Sequence, residues 1–526
     1  MLLFFIIQKG EQRMKNFVTI SRAHNYLRLY NYSQEFAAKV IMPFCRLHLY
    51  KYVQEADPIT GEMVWKVDNV FARFNNDKTE FRLSSGFLSQ LVDFMVKRNY
   101  PDDGIEFIDE PEILPVTKKF KFKKGWGEPR EHQIDYIAYQ NAPGALKINN
   151  ATMGAGKSVM AMSTIIHHQV RTLVIVQPKY IPVWIKAFGE QLDFGLEDIL
   201  ILDNGSIEEL HTSFLNKVID PGIVVIPMTR IQMYLKKMKE DSSLPTLDKI
   251  FSDFGFGLRL YDEAHEAFHQ IYTSLLFGNI HKTLMLSATM KSDDKFTNAM
   301  YNVVIPPDIY LKATEHKQYI ETYAYHYRID QRRFFIGHKS MGNYSDIMFE
   351  KNMMRNKITQ KFYLDMMYKS FEEYYLSRRK EGTKCIIFFT KTDTVERFKN
   401  YLLKKHPDLD VIDFTGLITK KKEMKNEYLK HEVVITTPGS CGTGKDIPGL
   451  ITVLCSHNVS SIQRNDQIIG RLRPTEGKFD PYLPPIFVYF VCDDIPKHRE
   501  YHDKRKTLFH SKSVLQKNID SHCHLN

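Results

Sequence analysis

Cysteine is scarce in this chain. Its six residues, Cys45, Cys385, Cys441, Cys455, Cys492 and Cys523, never form a CxxC pair. That excludes a disulfide framework and a zinc ribbon and points to a reducing compartment. His522, Cys523 and His524 are metal-binding types, but at the end of the chain they read as a frayed polar terminus. Long apolar runs are missing too. Residues 1–7 are apolar but too few to cross a bilayer, which takes about 20 such residues. The run also lacks a basic flank and a small-residue cleavage site, so it is no secretory signal. Met14, Lys15 and Asn16 read as a more natural start, which makes residues 1–13 a leader or an over-extended gene call. With no other long apolar run, no membrane association is expected, and a cytoplasmic location is. Low-complexity tracts are absent, which argues against long disorder.

What is present is an ordinary globular composition. The 526 residues suffice for about three domains at ~150 residues each. A hydrophobic fraction of 43% allows sizeable cores. Lys and Arg number 72 against 62 Asp and Glu, a net charge of +10, which suits a polyanion such as nucleic acid.

Residues 1–115 read as a small α+β accessory domain, a possible DNA-binding module. Alternating apolar residues predict strands over 41–53 and 64–74, separated by a turn-like stretch at 57–61. Helical spacing predicts a helix over 85–97. The acidic run Asp109-Glu110-Pro111-Glu112 looks like a boundary. A Lys- and Phe-rich segment, 118–124, and a helix over 131–139 come next. From Gly144 the rhythm becomes strand, loop, helix, strand, with strands at 145–149, 172–177, 223–227, 258–261 and 283–286. A link from about 290 to 382 holds a strand at 319–327 and a helix at 352–379. The rhythm then restarts at 384–389, 411–414, 432–436, 451–454 and 486–491. Such alternation predicts parallel sheets covered on both faces. The expected organisation is α/β, with two tandem lobes at 116–315 and 316–526.

Two motifs carry chemistry. Ala151-Thr152-Met153-Gly154-Ala155-Gly156-Lys157-Ser158 is a phosphate-binding loop between a strand and a helix. Gly154 and Gly156, flanking Ala155, let backbone N–H groups face the phosphates. Lys157 supplies a charge near the β- and γ-phosphates, and the Ser158 hydroxyl can ligate Mg²⁺. The N-terminus of the next helix favours anions. About a hundred residues on, Asp262-Glu263-Ala264-His265 ends a buried strand. There Asp262 can hold Mg²⁺ and Glu263 can orient or deprotonate an attacking water.

With these two motifs the chain resembles superfamily 2 helicases of the DEAH type. The resemblance covers residues 120 to 500 and implies two RecA-like P-loop NTPase domains that use ATP and Mg²⁺. It implies further roles in order along the chain. Gln133 matches the glutamine that reads adenine. Lys179, after Gln177-Pro178, and Thr229 with Arg230, after Pro227-Met228, match loops that grip the nucleic-acid backbone without reading sequence. Ser287-Ala288-Thr289 matches the motif that, with His265, couples hydrolysis to movement. In the second lobe, 384–391 matches the motif that opens it. Residues 436–448, with Gly442, Gly444 and Asp446 at the turn, match the next. Gln467 and the arginines Arg471 and Arg473 match the last. In the family that glutamine and those arginines face the nucleotide, and an arginine finger raises the rate by ~10³–10⁵. Many relatives carry a second arginine three residues after the first. Here that position is Pro474, so the finger is Arg471 or Arg473. Lys445 adds a residue to the preceding motif and leaves its register open.

The stretch from Arg82 to Asp109 looks like the small module ahead of the motor in phage UvsW-type and XPB-like DNA helicases. That implies a phage-encoded enzyme acting on branched or forked DNA in recombination, replication or repair, in the host cytoplasm. A double-strand translocase, an RNA helicase and a non-hydrolysing ATP-gated clamp are the rival readings. The basic clusters 118–124 and 420–422 could grip phosphates or be solvated loops. Phe120 and Phe122 could stack on bases or pack into the first lobe.

Overall fold

A computed structural model describes residues 16–526 apart from 57–61, 153, 289, 293, 312–317, 341, 417–426, 441–446, 459–460, 476, 480 and 511. The chain divides into two compact units, Met1–Ala313 and Thr314–Asn526.

The first unit opens with a five-stranded sheet. Its spatial order is Arg73–Phe74, Phe81–Ser84, Tyr26–Tyr30, Val18–Arg22, Ile105–Asp109, and only the last pair is parallel. The strand expected over 41–53 is not there. Residues 34–49 form a helical stretch of alternating α and π turns, and the strand Tyr50–Ala56 begins only after it. The reason is the spacing of the buried side chains. Phe36, Val40, Ile41, Phe44, Cys45 and Leu49 lie on one face of a helix, their positions recurring at helical intervals. Tyr50–Ala56 then pairs antiparallel with Met63–Val70 as a separate two-stranded ladder.

This N-terminal sheet shares a continuous apolar core with the remainder of the first unit, from Val18 through Phe81 and Phe87 to Phe251, Tyr272 and Tyr301. The approach is close. A Cβ on Gly86 would sit 2.0 Å from the carbonyl oxygen of Val303, so only glycine fits. Arg82 crosses the same boundary, paired to Asp248 at 2.7 Å and donating to the Leu276 carbonyl at 3.0 Å.

The rest of the unit is a six-stranded sheet ordered Ile199–Ile201, Ile223–Pro227, Thr172–Val176, Leu258–Tyr261, Lys282–Leu286, Leu146–Asn149. Every neighbouring pair is parallel. Thr172–Val176 is buried throughout, as a strand covered on both faces must be. Its side chains alternate between two cores, Leu173 and Ile175 on one face and Val174 and Val176 on the other.

The second unit holds seven parallel strands, ordered Val411–Phe414, Val433–Thr436, Lys384–Phe388, Leu450–Cys455, Ile486–Cys492, Ile320–Ile329, Ser513–Leu525. Two expectations are corrected here. The single helix over 352–379 is two helices, Asp346–Met353 and Lys357–Tyr374, with the Asn356 side chain capping the second. The chain end is not frayed: Ser513–Leu525 is an edge strand along Ile320–Ile329. Both units are thus α/β, and the chain consists of two tandem RecA-like sheets with an N-terminal α+β module. Among the described residues no helix is long and apolar enough to cross a membrane.

Candidate active site

Ligands of open parallel sheets bind beyond the carboxyl ends of the strands. In the first unit the sequence-expected residues gather there. The strand Leu146–Asn149 ends in the glycine loop, and the helix Lys157–His168 starts from it. Gly154 (φ +82°) and Gly156 (φ +85°) hold left-handed backbone that side chains resist, which turns the loop tightly into the helix. A Cβ on Gly156 would also lie 2.5 Å from Gln133 Nε2. Ala155 N–H donates to the Thr152 carbonyl (3.3 Å), and Lys157 Nζ reaches back to the Ala151 carbonyl (3.2 Å). Ser158 lies on the first helical turn, half-buried.

The loop stands on a buried amide network. Asn149 Oδ1 accepts from Ala151 N–H (2.9 Å), and Asn149 Nδ2 donates to Gln140 Oε1. Gln140 Nε2 donates to the Met160 carbonyl (3.0 Å) and Thr164 Oγ1 (2.9 Å). Gln133 belongs to the same layer. It is only 3% exposed. Its Nε2 donates to the Ala155 carbonyl (2.8 Å) and its Oε1 accepts from Arg130 N–H (3.0 Å). Gln133 is a strut under the loop.

The acidic pair follows the strand Leu258–Tyr261, which lies beside Lys282–Leu286. Asp262 Oδ2 accepts from Trp184 Nε1 (2.8 Å) and Asp262 Oδ1 from Glu263 N–H (2.9 Å). Glu263 has φ +45°, a conformation few glutamates adopt, which turns the chain sharply after the strand. The turn is pinned to the neighbouring strand by Ala264 N–H donating to the Leu286 carbonyl (3.0 Å). His265 Nδ1 lies 2.8 Å from Ser287 Oγ and 3.4 Å from Glu263 Oε2. Burial, then the neighbouring Glu263 charge, raises the Asp262 pKa above the usual aspartate value. Burial likewise raises Glu263. Lys157 opposes both shifts, so the loop lysine and the two carboxylates act on one space.

The expected backbone grips share this edge. Lys179 is ion-paired to Glu266 (2.7 Å), and Tyr180 OH donates to the other oxygen of that carboxylate (2.7 Å). Thr229 is exposed on the first turn of the helix Met228–Glu240, and Arg230 Nη2 donates to the Asp203 carbonyl (3.0 Å). The stacking role considered for Phe120 and Phe122 is not supported. Phe120 is 5% exposed and lies in the core against Gly222, while Phe122 pairs with Leu192 in a two-stranded ladder. The lysines beside them are engaged as well, Lys118 with Asp220 (2.7 Å) and Lys121 with Asp193 (2.9 Å).

In the second unit, Gln467 lies on the helix Ile462–Ile469, half-buried. Arg471 is 6% exposed, its guanidinium 5.9 Å from the centre of the Phe388 ring. Arg473 Nη1 folds back onto the Gly470 and Leu472 carbonyls. Thr289, Gly442, Gly444, Lys445, Asp446 and the basic cluster 420–422 lie outside the described residues.

No family model matches the chain, and no curated protein matches it. Solved structures do resemble it. S. cerevisiae Dbp5 bound to RNA and ADP BeF3 is similar at 12% identity and a TM-score of 0.46, over 75% of this chain and 90% of that one. The DEAD-box helicase Mss116 bound to ssRNA and UDP-BeF is similar at 17% identity and 0.47, over 75% and 76%. The Pyrococcus furiosus Hef helicase domain is similar at 12% identity and 0.44, over 72% and 98%.

Sequence reasoning missed Trp184, Asn149 and Gln140. Trp184 stands 78 residues from the Asp262 it touches, so no local spacing announces it. Asn149 and Gln140 read as ordinary polar positions until the sheet brings them beneath the loop.

Proposed function

We propose that the chain is an ATP-driven motor acting on nucleic acid. The observation that carries this is the placement of Lys157, Asp262 and Glu263 on one carboxyl edge, below a helix N-terminus opened by two left-handed glycines. That donor set fits a magnesium nucleotide. Backbone N–H groups and Lys157 would hold the β- and γ-phosphates. Ser158 and Asp262 would hold Mg²⁺, which neutralises phosphate charge. Glu263, kept in place by its strained turn, would take the proton of the attacking water. By the resemblance, Gln467 and Arg471 or Arg473 would belong to the same catalytic set.

The His265–Ser287 contact, with Thr289, would pass the state of the site to the neighbouring strand. Thr229 and Arg230 would meet the nucleic-acid backbone. Lys179, paired with Glu266, would join them. We take DNA, branched or forked, as the substrate on the resemblance of the N-terminal module; the net charge of +10 suits nucleic acid of either kind. Strand displacement on forked, four-way and linear DNA and on duplex RNA, set beside triplex displacement, tests this. Displacement fastest on branched DNA is expected. Triplex displacement without strand separation would make it a translocase, and activity on RNA alone would overturn the DNA assignment.

A further inference from the structure

The acidic run Asp109-Glu110-Pro111-Glu112 looks like a boundary in the sequence, yet each of its carboxylates is engaged. Asp109 pairs with Arg22 (2.9 Å) and Glu110 with Arg28 (3.0 Å). Glu112 takes two histidines, one per oxygen. His24 Nε2 lies 2.7 Å from Oε1, and His281 Nδ1 lies 3.0 Å from Oε2. The three residues come from three places. His24 is in the turn between the strands Val18–Arg22 and Tyr26–Tyr30, Glu112 is in the segment leaving the N-terminal sheet, and His281 immediately precedes the strand Lys282–Leu286. Their ligand atoms all lie within 4.8 Å of one another.

These segments are held together by bonds that spare the ligand atoms. Asn279, 6% exposed, is the hub. Its Oδ1 accepts from His24 N–H (3.0 Å), its Nδ2 donates to the Glu110 carbonyl (2.6 Å), and its own carbonyl accepts from Ile113 N–H (3.0 Å). Ser85 Oγ donates to the His24 carbonyl (3.0 Å). The ligand cluster is therefore positioned by the fold.

We infer that His24, Glu112 and His281 form a zinc-type divalent metal site that clasps the N-terminal sheet to the first parallel sheet. Two imidazole nitrogens and one carboxylate oxygen are a zinc donor set, while magnesium and calcium take oxygen ligands. In a tetrahedral zinc site with bonds of about 2.1 Å the ligand atoms stand roughly 3.4 Å apart; here each imidazole meets its own Glu112 oxygen, at 2.7 and 3.0 Å, and one ligand atom from each residue lies within 4.8 Å of the others. All three side chains are exposed, so an ion has access from solvent, and water can fill the fourth position. The site lies apart from the nucleotide edge, since His281 precedes the strand Lys282–Leu286 and Ser287 follows it.

The test is zinc alone, titrated into the EDTA-stripped full chain without nucleotide against a chromophoric chelator, followed by thermal unfolding. The wild type should take up zinc and unfold at a higher temperature with it. His24→Ala and His281→Ala should each lose one equivalent, or bind it at least tenfold more weakly, and should lose the zinc-dependent rise. His24→Gln, with circular dichroism, guards against simple misfolding. A second exposed cluster, Asp520, His522 and His524, lies on the terminal strand and serves as the control. No uptake by the wild type, uptake unchanged in His24→Ala and His281→Ala, or uptake lost only in His522→Ala with His524→Ala would overturn the assignment.

Discussion

Glu263 sits at φ +45° between a buried strand and a turn tied to the next strand. A non-glycine residue there costs on the order of 1–3 kcal/mol and persists only where its surroundings demand it. The surroundings are Trp184 and Glu263 N–H on the two oxygens of Asp262, and Ser287 on His265. That last contact yields a separable prediction. Ser287→Ala removes no atom from the phosphate loop or the acidic pair, so ATP turnover should stay within about threefold while strand displacement falls roughly tenfold, the scale of one buried hydrogen bond. Parallel ATPase and displacement assays on the variant check it; equal losses in both would assign Ser287 to catalysis rather than coupling. The loop and the acidic pair are readable from sequence because phosphate chemistry dictates residue types over a short local stretch. Trp184 is not, because only tertiary folding brings it to Asp262. Sequence places Gln133 near the loop, but its amide is bound on both ends to main chain, a fact that spacing does not encode.

Parallel strands buried on both faces read as unbroken apolar runs, which is why Thr172–Val176, Ile223–Pro227 and Ile486–Cys492 are legible. Elements buried on one side are harder. The stretch 34–49 carries enough apolar residues to imitate a strand, and only their helical spacing tells otherwise. Ser513–Leu525 buries just three of its thirteen residues, Ser513, Ser521 and Leu525, so its composition resembles a loose tail. Its pairing nevertheless covers the long strand Ile320–Ile329. Without it that strand would present unpaired N–H and C=O groups along an open edge. Deleting residues 513–526 should lower the unfolding temperature by several degrees and promote aggregation. Differential scanning calorimetry with light scattering would show this, and an unchanged midpoint would mean that the edge strand contributes little.

At the scale of the whole chain, two parallel sheets succeed one another, and the repeated strand-helix rhythm announces both. The N-terminal module is less separate than its sequence suggests, since its apolar residues belong to the same core as Phe251 and Tyr301. A module fused in this way is part of the first compact unit rather than a separate one. The central claim is that ATP hydrolysis at the Lys157–Asp262–Glu263 edge drives action on nucleic acid. The most direct test is steady-state ATP hydrolysis with and without single-stranded, duplex, forked and four-way DNA and RNA, for the wild type, Lys157→Ala and Glu263→Gln. Turnover should rise with nucleic acid in the wild type. It should vanish with nucleotide binding in Lys157→Ala, and fall roughly 10²–10⁴-fold with nucleotide binding kept in Glu263→Gln. Turnover in either variant equal to that of the wild type, or a wild type that neither hydrolyses ATP nor responds to any nucleic acid, would contradict the account.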